Sequence, residues 1–412
     1  MNRQQLYALI VLLFSAVVAM LPNSVLFPAT RDIAVHLHVP VSFVGLMVTV
    51  YSVAYVASTP FLGIWSDRAG RKQVLVLGLL LFSAGGLVPL FSHNGTFILA
   101  GRFIMGMGSA GILPMVDSTI GDMFLPGAPR RKALAGFGAA IAVAEAILPF
   151  LSGVADHVSW RGVFLLYSGG ILGALLTAFM AWPKQVDGVP TKSDKADMKS
   201  YYRALLVASA IPTLAGTLVS TVLFGVVYFG VSALLPQSIA NGANGLLNGI
   251  LFLPLGVSWV ASSTWFAKRP HIVHVHRAAL LGSIVLALAT LWLSFTHVLW
   301  ILLVISLFWG LGSGVLTTLF SWVIGDDTPA RVRGAVNALY NAAYVLGFAV
   351  GAPLFMYLKQ AYSYQFSATM ASFVMFASGV TGYFFFRRHG HHTAAPTAAP
   401  TDAAVDEKNL VP

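Results

Sequence analysis

The chain has 412 residues, of which 57% are hydrophobic and only 9% are charged, whereas about 25% of an ordinary soluble domain is charged. A soluble fold of this length could not bury so much apolar surface, so the composition predicts an integral membrane protein. The absence of cysteine excludes disulfides and thiolate metal sites. The net charge of +10 is spread through short gaps between apolar runs, which does not form the basic patch that nucleic-acid binding needs.

Twelve apolar runs are long enough to cross a hydrocarbon core of ~30 Å. In chain order they occupy residues 6–28, 42–64, 73–91, 96–119, 134–154, 162–182, 211–235, 245–266, 278–296, 299–322, 334–357 and 365–386. Only Arg3 precedes the first run, and eleven similar runs follow it, so we interpret it as a membrane span and not as a cleaved signal peptide.

The gaps between the runs differ in their content of lysine and arginine. With the N-terminus inside, the inside gaps hold 20 of the 24 lysines and arginines, the outside gaps hold Arg31, Arg161 and Lys359, and Arg102 falls within a span. Cytoplasmic loops carry such an excess of positive charge. We therefore predict a multi-pass protein of the cell membrane with both termini in the cytoplasm.

The longest polar gap separates two similar halves. The segment GMGSAGILPMVDSTIGD at 106–122 matches GLGSGVLTTLFSWVIGD at 310–326, and Pro149 recurs as Pro353 at the same offset of 204 residues. We predict an all-α membrane protein with twelve transmembrane helices in two pseudo-symmetric six-helix bundles, a build that is common among secondary transporters. The predicted bundles cover 1–182 and 204–388, joined by a cytoplasmic linker at 183–203 and followed by a disordered tail at 389–412.

A charged turn, GIWSDRAGRK, joins spans two and three. It resembles the signature loop of the major facilitator superfamily, and the matching residues are Gly63, Asp67, Arg68, Gly70, Arg71 and Lys72. FILAGRFIMGMGSAG resembles the span-four motif of that superfamily, and IGDMFLPGAPRRKALAG resembles the turn that follows it, with Asp122 and Arg131 in register. These motifs and SWRGVF cover most of residues 25 to 170 and are most similar to the twelve-span drug:proton antiporter branch.

This resemblance implies a cytoplasmic latch. Asp67 and Arg68 are expected to pair with Asp122 and with the arginines of the turn that includes Arg131, and in the family such a network holds the two halves in the outward-facing state. The alternative is that these charges only fix the loop in the cytoplasm. The equivalent loop of the second half, FAKRPHIVHVHR, has no acidic residue and no glycine, so the predicted latch is one-sided.

Span five departs from the antiporter pattern Gly-Pro-x-x-Gly-Gly. The chain has Leu148-Pro149 and Ser152-Gly153 at these positions. Pro149 preserves a kink and Gly153 preserves one point of close packing. The pattern is associated with export, so its partial loss weakens the prediction of efflux more than the prediction of the fold.

Ionisable side chains deep in a span are costly and usually functional. Arg102 and Glu145 lie deep in their spans, and Asp117 lies near the cytoplasmic end of span four. An apolar surrounding favours the neutral form of a carboxyl group, so Glu145 could exchange a proton with either side while Arg102 acts as its counter-charge or as an anion anchor. The alternative is a static pair of Arg102 with Glu145 or Asp117. The second half is expected to supply an apolar and aromatic wall.

Three asparagines are further candidates for the transport pathway: Asn23 in span one, and Asn337 and Asn341 in span eleven. Hydrogen bonding between helices is the alternative role. We expect no metal site, since the histidine clusters lie in a loop and in the tail. The sequence has no Walker motif and no nucleophile–base constellation, so we predict neither ATP-driven transport nor an enzyme.

The sequence predicts a secondary active transporter that exports amphiphilic or lipophilic compounds in exchange for protons by alternating access. The alternative is a carrier for a defined metabolite, an organic anion or a lipid-linked solute, with Arg102 binding its anionic group. A sensor that binds without transporting is a third possibility. The expected partners are a small-molecule substrate and the lipid bilayer, with no nucleic acid and no cofactor apart from protons, and the protein is expected to be a monomer.

Overall fold

The computed structural model of the protein describes residues 3–124, 128–182, 206, 210–239, 245–268, 274–328 and 333–387. Within these ranges some side chains lie outside the description, among them those of Asn23, Asp67, Arg68, Arg131 and Asn337. The predicted linker at 183–203 and the predicted tail at 389–412 also lie outside it, so the proposed domain boundaries remain predictions.

Twelve helices in the described ranges are long and apolar enough to cross a membrane. They are numbered here as spans one to twelve, and the first six are called the first half and the last six the second half. The first half comprises Arg3–Ser24, Val41–Ala69, Arg71–Gly86 continued by Val88–Phe91, Gly95–Ser109 continued by Leu113–Met123, Ala128–Val158, and Gly162–Leu165 continued through a 3₁₀ turn by Gly169–Phe179. The second half comprises Pro212–Leu234 continued by a 3₁₀ turn at Leu235–Ser238, Gly245–Ala267, Val275–Leu293, Leu299–Asp327, Arg333–Ala361 and Tyr364–Phe386. A short helix, Thr30–His36, precedes span two.

The two halves repeat one packing scheme. In the first half span one packs on span five, span two on span four and span three on span six; in the second half the corresponding pairs are seven with eleven, eight with ten, and nine with twelve. The predicted all-α fold with twelve spans in two related sets is confirmed.

Close helix contacts recur at the same offset of 204 residues. A Cβ atom at Gly106 would collide with the carbonyl oxygen of Tyr51, and one at Gly310 would collide with that of Leu255. Such contacts allow helix backbones to approach closely, as small residues do in membrane proteins. The matched glycines therefore fix matched distances between spans in the two halves.

Two seams join the halves: span two packs on span eleven, and span five packs on span eight. A Cβ atom at Gly45 would lie 3.0 Å from Cα of Pro353, and a Cβ atom at Gly249 would lie 3.0 Å from the carbonyl oxygen of Pro149. These two pairs are also related by the 204-residue offset, so one seam repeats the contact of the other. The matched prolines, which the sequence comparison identified, lie at the interface of the halves.

The seams are tight at one end, called here the closed end. Two hydrogen bonds join the halves there, from Thr49 Oγ1 to the carbonyl oxygen of Ala349 over 2.7 Å and from Asn248 Nδ2 to that of Pro28 over 2.9 Å. At the other end of span five, a Cβ atom at Gly136 would meet no heavy atom within 4 Å.

Candidate functional site

The acidic side chain of Glu145 lies between the halves on span five and is half-buried. The hydroxyl of Ser24, at the end of span one, donates a hydrogen bond to Glu145 Oε2 over 3.2 Å. No lysine, arginine or histidine of the described residues forms an ion pair with it. A change in the protonation of this carboxyl group therefore breaks no ion pair among the described residues.

Ser152 lies two turns beyond Glu145 and faces the same neighbour. Its hydroxyl donates to the carbonyl oxygen of Val25, next to Ser24. Glu145 and Ser152 thus lie on one face of span five, which contacts the end of span one. Pro149 lies inside this helix, and Gly153 packs against the backbone of Gly245 in span eight. Pro149 and the close-packing point at Gly153 thus both lie at the seam between the halves.

Aromatic side chains of the second half surround the position opposite Glu145. The side chains of Tyr228 in span seven and Tyr344 in span eleven lie within electrostatic range of the carboxyl group. Tyr228 stacks on Trp309 with ring centroids 5.0 Å apart and meets Trp259 edge-on at 5.1 Å. This cluster corresponds to the aromatic wall expected from the sequence, and it offers flat apolar surface with few charges.

The aromatic cluster crosses the seam through Phe348. Its ring lies 4.2 Å from that of Phe229 in the second half, and 6.0 Å and 6.2 Å from those of Phe27 and Tyr51 in the first half. Movement of one half against the other must rearrange these contacts. The cluster therefore links the site beside Glu145 to the relative position of the halves.

Arg102 lies elsewhere, inside the first half. Only 1% of its surface is exposed, and its guanidinium donates to the Tyr167 hydroxyl of span six over 3.2 and 3.3 Å. The same group lies 5.1 Å from the centroid of the Tyr167 ring and 5.8 Å from that of Phe164. Neither Glu145 nor Asp117 pairs with it, so the expected static pair is not observed, and its role as counter-charge or anion anchor stays a hypothesis without a contact to support it.

The remaining pathway candidates are dispersed. Asp117 lies in the second helical segment of span four with an exposed side chain, and Asn341 is exposed on span eleven. The side chains of Asn23 and Asn337 lie outside the described residues. The part that these four residues play in the pathway therefore stays a prediction.

The charged turn between spans two and three contains one residue with a left-handed backbone, Gly70, at φ 93° and ψ 144°. Arg71 forms an ion pair with Asp122 at the end of span four. Lys72 Nζ donates to the carbonyl oxygens of Ala178 and Met180 over 2.9 and 3.0 Å, where the end of span six carries partial negative charge. Arg71 is thus the described partner of Asp122.

These described contacts of the turn all lie within the first half. Gly63 lies near the end of the span-two helix with open space around it. The side chains of Asp67, Arg68 and Arg131 lie outside the described residues. The latch between the halves therefore stays a prediction.

Sequence reasoning did not identify Ser24, Tyr228 or Tyr344 as neighbours of Glu145. Serine and tyrosine are frequent in membrane spans, and nothing in their spacing marks which face of a helix they occupy. Among the described residues, no group of three or more histidine, aspartate or glutamate side chains could hold a metal ion. The histidine clusters named from the sequence lie mostly outside the described ranges.

Twelve membrane-crossing helices in two related halves, meeting at seams beside a half-buried acid, define a multi-pass membrane transporter. A family model described as the Major Facilitator Superfamily matches residues 12–275 and 272–410. The chain belongs to this superfamily. Members of the superfamily are in general transporters and not enzymes.

Relatives and solved structures agree with this assignment. The bacillibactin exporter of Bacillus subtilis (strain 168) is 29% identical over 354 residues, which cover 81% of this chain and 85% of the relative. Multidrug resistance protein 2 of the same organism is 31% identical over 170 residues, or 41% of this chain and 42% of the relative. The fold is similar to a bacterial homologue of the human lysosomal transporter Spinster, solved in an inward-facing and unoccupied conformation, with a TM-score of 0.74, 14% identity, and coverage of 94% of this chain and 97% of the other.

Proposed function

We propose that the protein is a secondary active exporter of amphiphilic or lipophilic compounds that exchanges its substrate for protons by alternating access. The observation that carries this proposal is the position of Glu145, which has no ion-pair partner among the described residues and lies beside an aromatic cluster contributed by the other half. With the predicted topology, the closed end of the seams faces outward, and the described conformation is inward-facing. An apolar compound from the cytoplasm or the inner leaflet would enter from the end opposite the closed end.

Competition between a proton and the substrate for one site would couple the proton flux to the substrate flux. A proton on Glu145 neutralises an acid beside the aromatic cluster, while a bound cationic or polarisable compound favours the ionised carboxylate. Aromatic faces attract cations and stack on flat apolar groups. Protonation and substrate binding would then exclude each other, which is the requirement for exchange.

Export, as opposed to import, draws support from the relatives. One is named an exporter and aligns over most of its length with this chain, and another is named a multidrug resistance protein. The first is named for a single compound, so export of one defined metabolite is the second candidate. The burial of Arg102 within the first half does not favour an anion-binding role in that case.

The test is substrate flux in proteoliposomes with and without an imposed pH gradient. Glu145→Gln resembles the protonated carboxyl group permanently, so we expect uphill transport to be lost while some downhill exchange remains. Ser24→Ala serves as the matched variant: it removes the hydroxyl that bonds to Glu145 but keeps the acid, so gradient-driven transport should persist. Accumulation against a gradient by Glu145→Gln would show that Glu145 is not the coupling site.

A further inference from the structure

A histidine meets an aromatic ring at the closed end of each half. The ring of His93, in the turn between spans three and four, lies 6.0 Å from that of Trp160, in the turn between spans five and six, at an angle of 56°. The ring of His297, before span ten, lies 5.9 Å from that of Tyr364, the first residue of span twelve, at an angle of 52°. The two pairs are related by the 204-residue offset. The repeat therefore preserves this contact.

The two histidines differ in the hydrogen bond that each of them makes. Nε2 of His93 lies 2.6 Å from Nη2 of Arg161. A guanidinium can only donate, so Nε2 of His93 must be the acceptor and carries no proton. Nδ1 of His297 lies 2.7 Å from the carbonyl oxygen of Ser238, which can only accept, so this nitrogen donates. A second proton on the ring therefore removes the bond of His93 but leaves that of His297 in place.

Arg161 depends on this bond for its position. Its guanidinium lies over the ring of Trp160, 5.0 Å from the centroid. Its Nε is buried and has no partner in the part of the chain that the structure describes. A second proton on His93 would place an imidazolium against the guanidinium, and two cations at this distance repel each other. Arg161 would then leave both the histidine and the indole.

The short helix Thr30–His36 connects Trp160 to the seam between spans two and eleven. His36, its last residue, stacks on Trp160 with ring centroids 5.5 Å apart and planes 19° apart. Thr30, its first residue, lines a small pocket together with Ala352 of the second half. The helix thus reaches from the indole to the contact between the halves.

The turn that carries His93 also touches this seam. A Cβ atom at Gly95 would lie 3.0 Å from the ring of Phe43, at the start of span two. Two residues further on, Gly45 packs against Pro353 of span eleven. A displacement of Trp160 or of the His93 turn is therefore passed to the place where the halves meet.

No other titratable group takes the part of His93. Spans two and three bring no charged residue to the closed end, since 41–66 and 73–92 contain none. Nδ1 of His36 donates to the carbonyl oxygen of Asp32 over 2.8 Å, so a further proton on His36 breaks no bond. Among the described residues, neither His93 nor Arg161 forms an ion pair. The other charged or titratable side chains of the neighbouring segments are those of Arg31, His38, Asp156, His157 and Lys359.

We propose that His93 is a proton sensor at the closed end, and that its protonation releases Arg161 and Trp160 and favours the opening of that end. Neutral His93 holds the two turns together and keeps the short helix against the seam. Histidine is the side chain that ordinarily changes charge between pH 5 and 8, so acid on this side of the membrane is the signal. The sensor is distinct from Glu145, and the inference holds whichever compound the protein carries.

A single cysteine can report on the opening because the chain has none of its own. Ala352 is 1% exposed, so in Ala352→Cys a polar maleimide should react only when the closed end opens. Tyr362, in the turn before span twelve, is 69% exposed. Tyr362→Cys therefore gives the reference for the effect of pH on thiol reactivity itself.

The experiment uses purified full-length protein in nanodiscs between pH 5 and 8, in a Glu145→Gln background so that this acid does not titrate. The labelling rate of Ala352→Cys, divided by that of Tyr362→Cys, should rise as the pH falls, by up to about tenfold per unit, since one proton is taken up. His93→Gln keeps an acceptor for Arg161 but never gains a charge, so the ratio should stay low. His93→Lys is charged throughout, so the ratio should stay high.

Two further variants separate His93 from the other histidines. His297→Gln changes the matched position of the repeat but can still donate to Ser238, so it should follow the parent profile. His36→Phe keeps a ring for the stack on Trp160 without a titratable group, and it should follow the parent profile as well.

A ratio that does not vary with pH in the parent would overturn the proposal. So would an unchanged rise in His93→Gln, a low ratio in His93→Lys, or the loss of the rise in His36→Phe or His297→Gln, which would assign the response to another histidine. If one of the two His93 variants does not fold, the parent profile and the other variant decide the outcome by themselves.

Discussion

At the scale of single residues, Arg102 is the most deeply buried charge that the structure describes. A guanidinium without a carboxylate partner relies on other acceptors, and here the Tyr167 hydroxyl accepts two of its hydrogen bonds. The aromatic rings of Phe164 and Tyr167 add a cation–π contribution. Arg102 thus joins spans four and six inside the first half.

Tyr167→Phe tests this role. The variant keeps the ring but removes the acceptor, and leaving a buried charged donor unsatisfied should lower the free energy of unfolding by about 1–3 kcal/mol. Tyr362→Phe is the matched control, since Tyr362 is 69% exposed and its hydroxyl can be replaced by water. Denaturant titration of the purified proteins would measure both values. Equal stability of the two variants would indicate that Arg102 finds its acceptors elsewhere.

The sequence identified Arg102 and Glu145 because an ionisable residue stands out in an apolar run. It did not identify their partners, because Tyr167 and Ser24 are 65 and 121 residues away. A span that is apolar on every side gives no signal for its rotation about its own axis. Which side chain meets Glu145 therefore depends on helix packing that hydropathy does not encode.

At the scale of elements, the turn between spans two and three depends on Gly70. Its backbone angles lie in a region that is essentially restricted to glycine. It separates the helix that ends at Ala69 from the one that begins at Arg71. This abrupt turn places Arg71 and Lys72 against the ends of spans four and six.

Gly70→Ala should therefore destabilise the protein by about 1–3 kcal/mol, with a lower midpoint of thermal unfolding. Gly63→Ala provides the control in the same motif, because Gly63 lies within a helix and a Cβ atom there would meet nothing within 4 Å. That variant should be neutral or slightly stabilising, since alanine is the better helix former. A loss in Gly63→Ala as large as that in Gly70→Ala would contradict this account of the turn.

Hydropathy predicts where the membrane helices lie, but it predicts their lengths less well. The run at 134–154 corresponds to a helix that extends over Ala128–Val158, and the run at 42–64 to one over Val41–Ala69. The extra turns carry polar and charged residues, which hydropathy assigns to loops. The interruption of span four between Ser109 and Leu113 was not predicted, because its residues are as apolar as the helices on either side.

At the scale of the whole molecule, the predicted orientation in the membrane decides which side of the membrane the closed end faces. Cysteine at Ser193 should react with an impermeant maleimide only from the cytoplasmic side, and cysteine at His93 only from outside. The parent protein, which contains no cysteine, gives the background. Labelling of the Ser193 variant in intact cells would show that the topology is the reverse of the predicted one. The described conformation would then be outward-facing.

The internal repeat was predictable at this scale because identical residues recur at one offset. The contacts that the repeat makes at the seams were not predictable, because the sequence does not show that Gly45 packs against Pro353 and Gly249 against Pro149. A duplicated chain contains two copies of each contact surface. Only the arrangement of the halves shows that each copy of this contact surface packs against the opposite half and not against its own half.

The acid beside the seam and the aromatic cluster opposite it belong to different halves of a duplicated chain. Glu145 lies in the first half, whereas Tyr228, Tyr344, Trp259 and Trp309 lie in the second. Mutations that reshape the cluster can alter which compounds are accepted without touching the residue proposed to carry the proton. If Glu145 carries the proton as proposed, a change of cargo needs substitutions in the second half alone, while the proton site in the first half stays as it is.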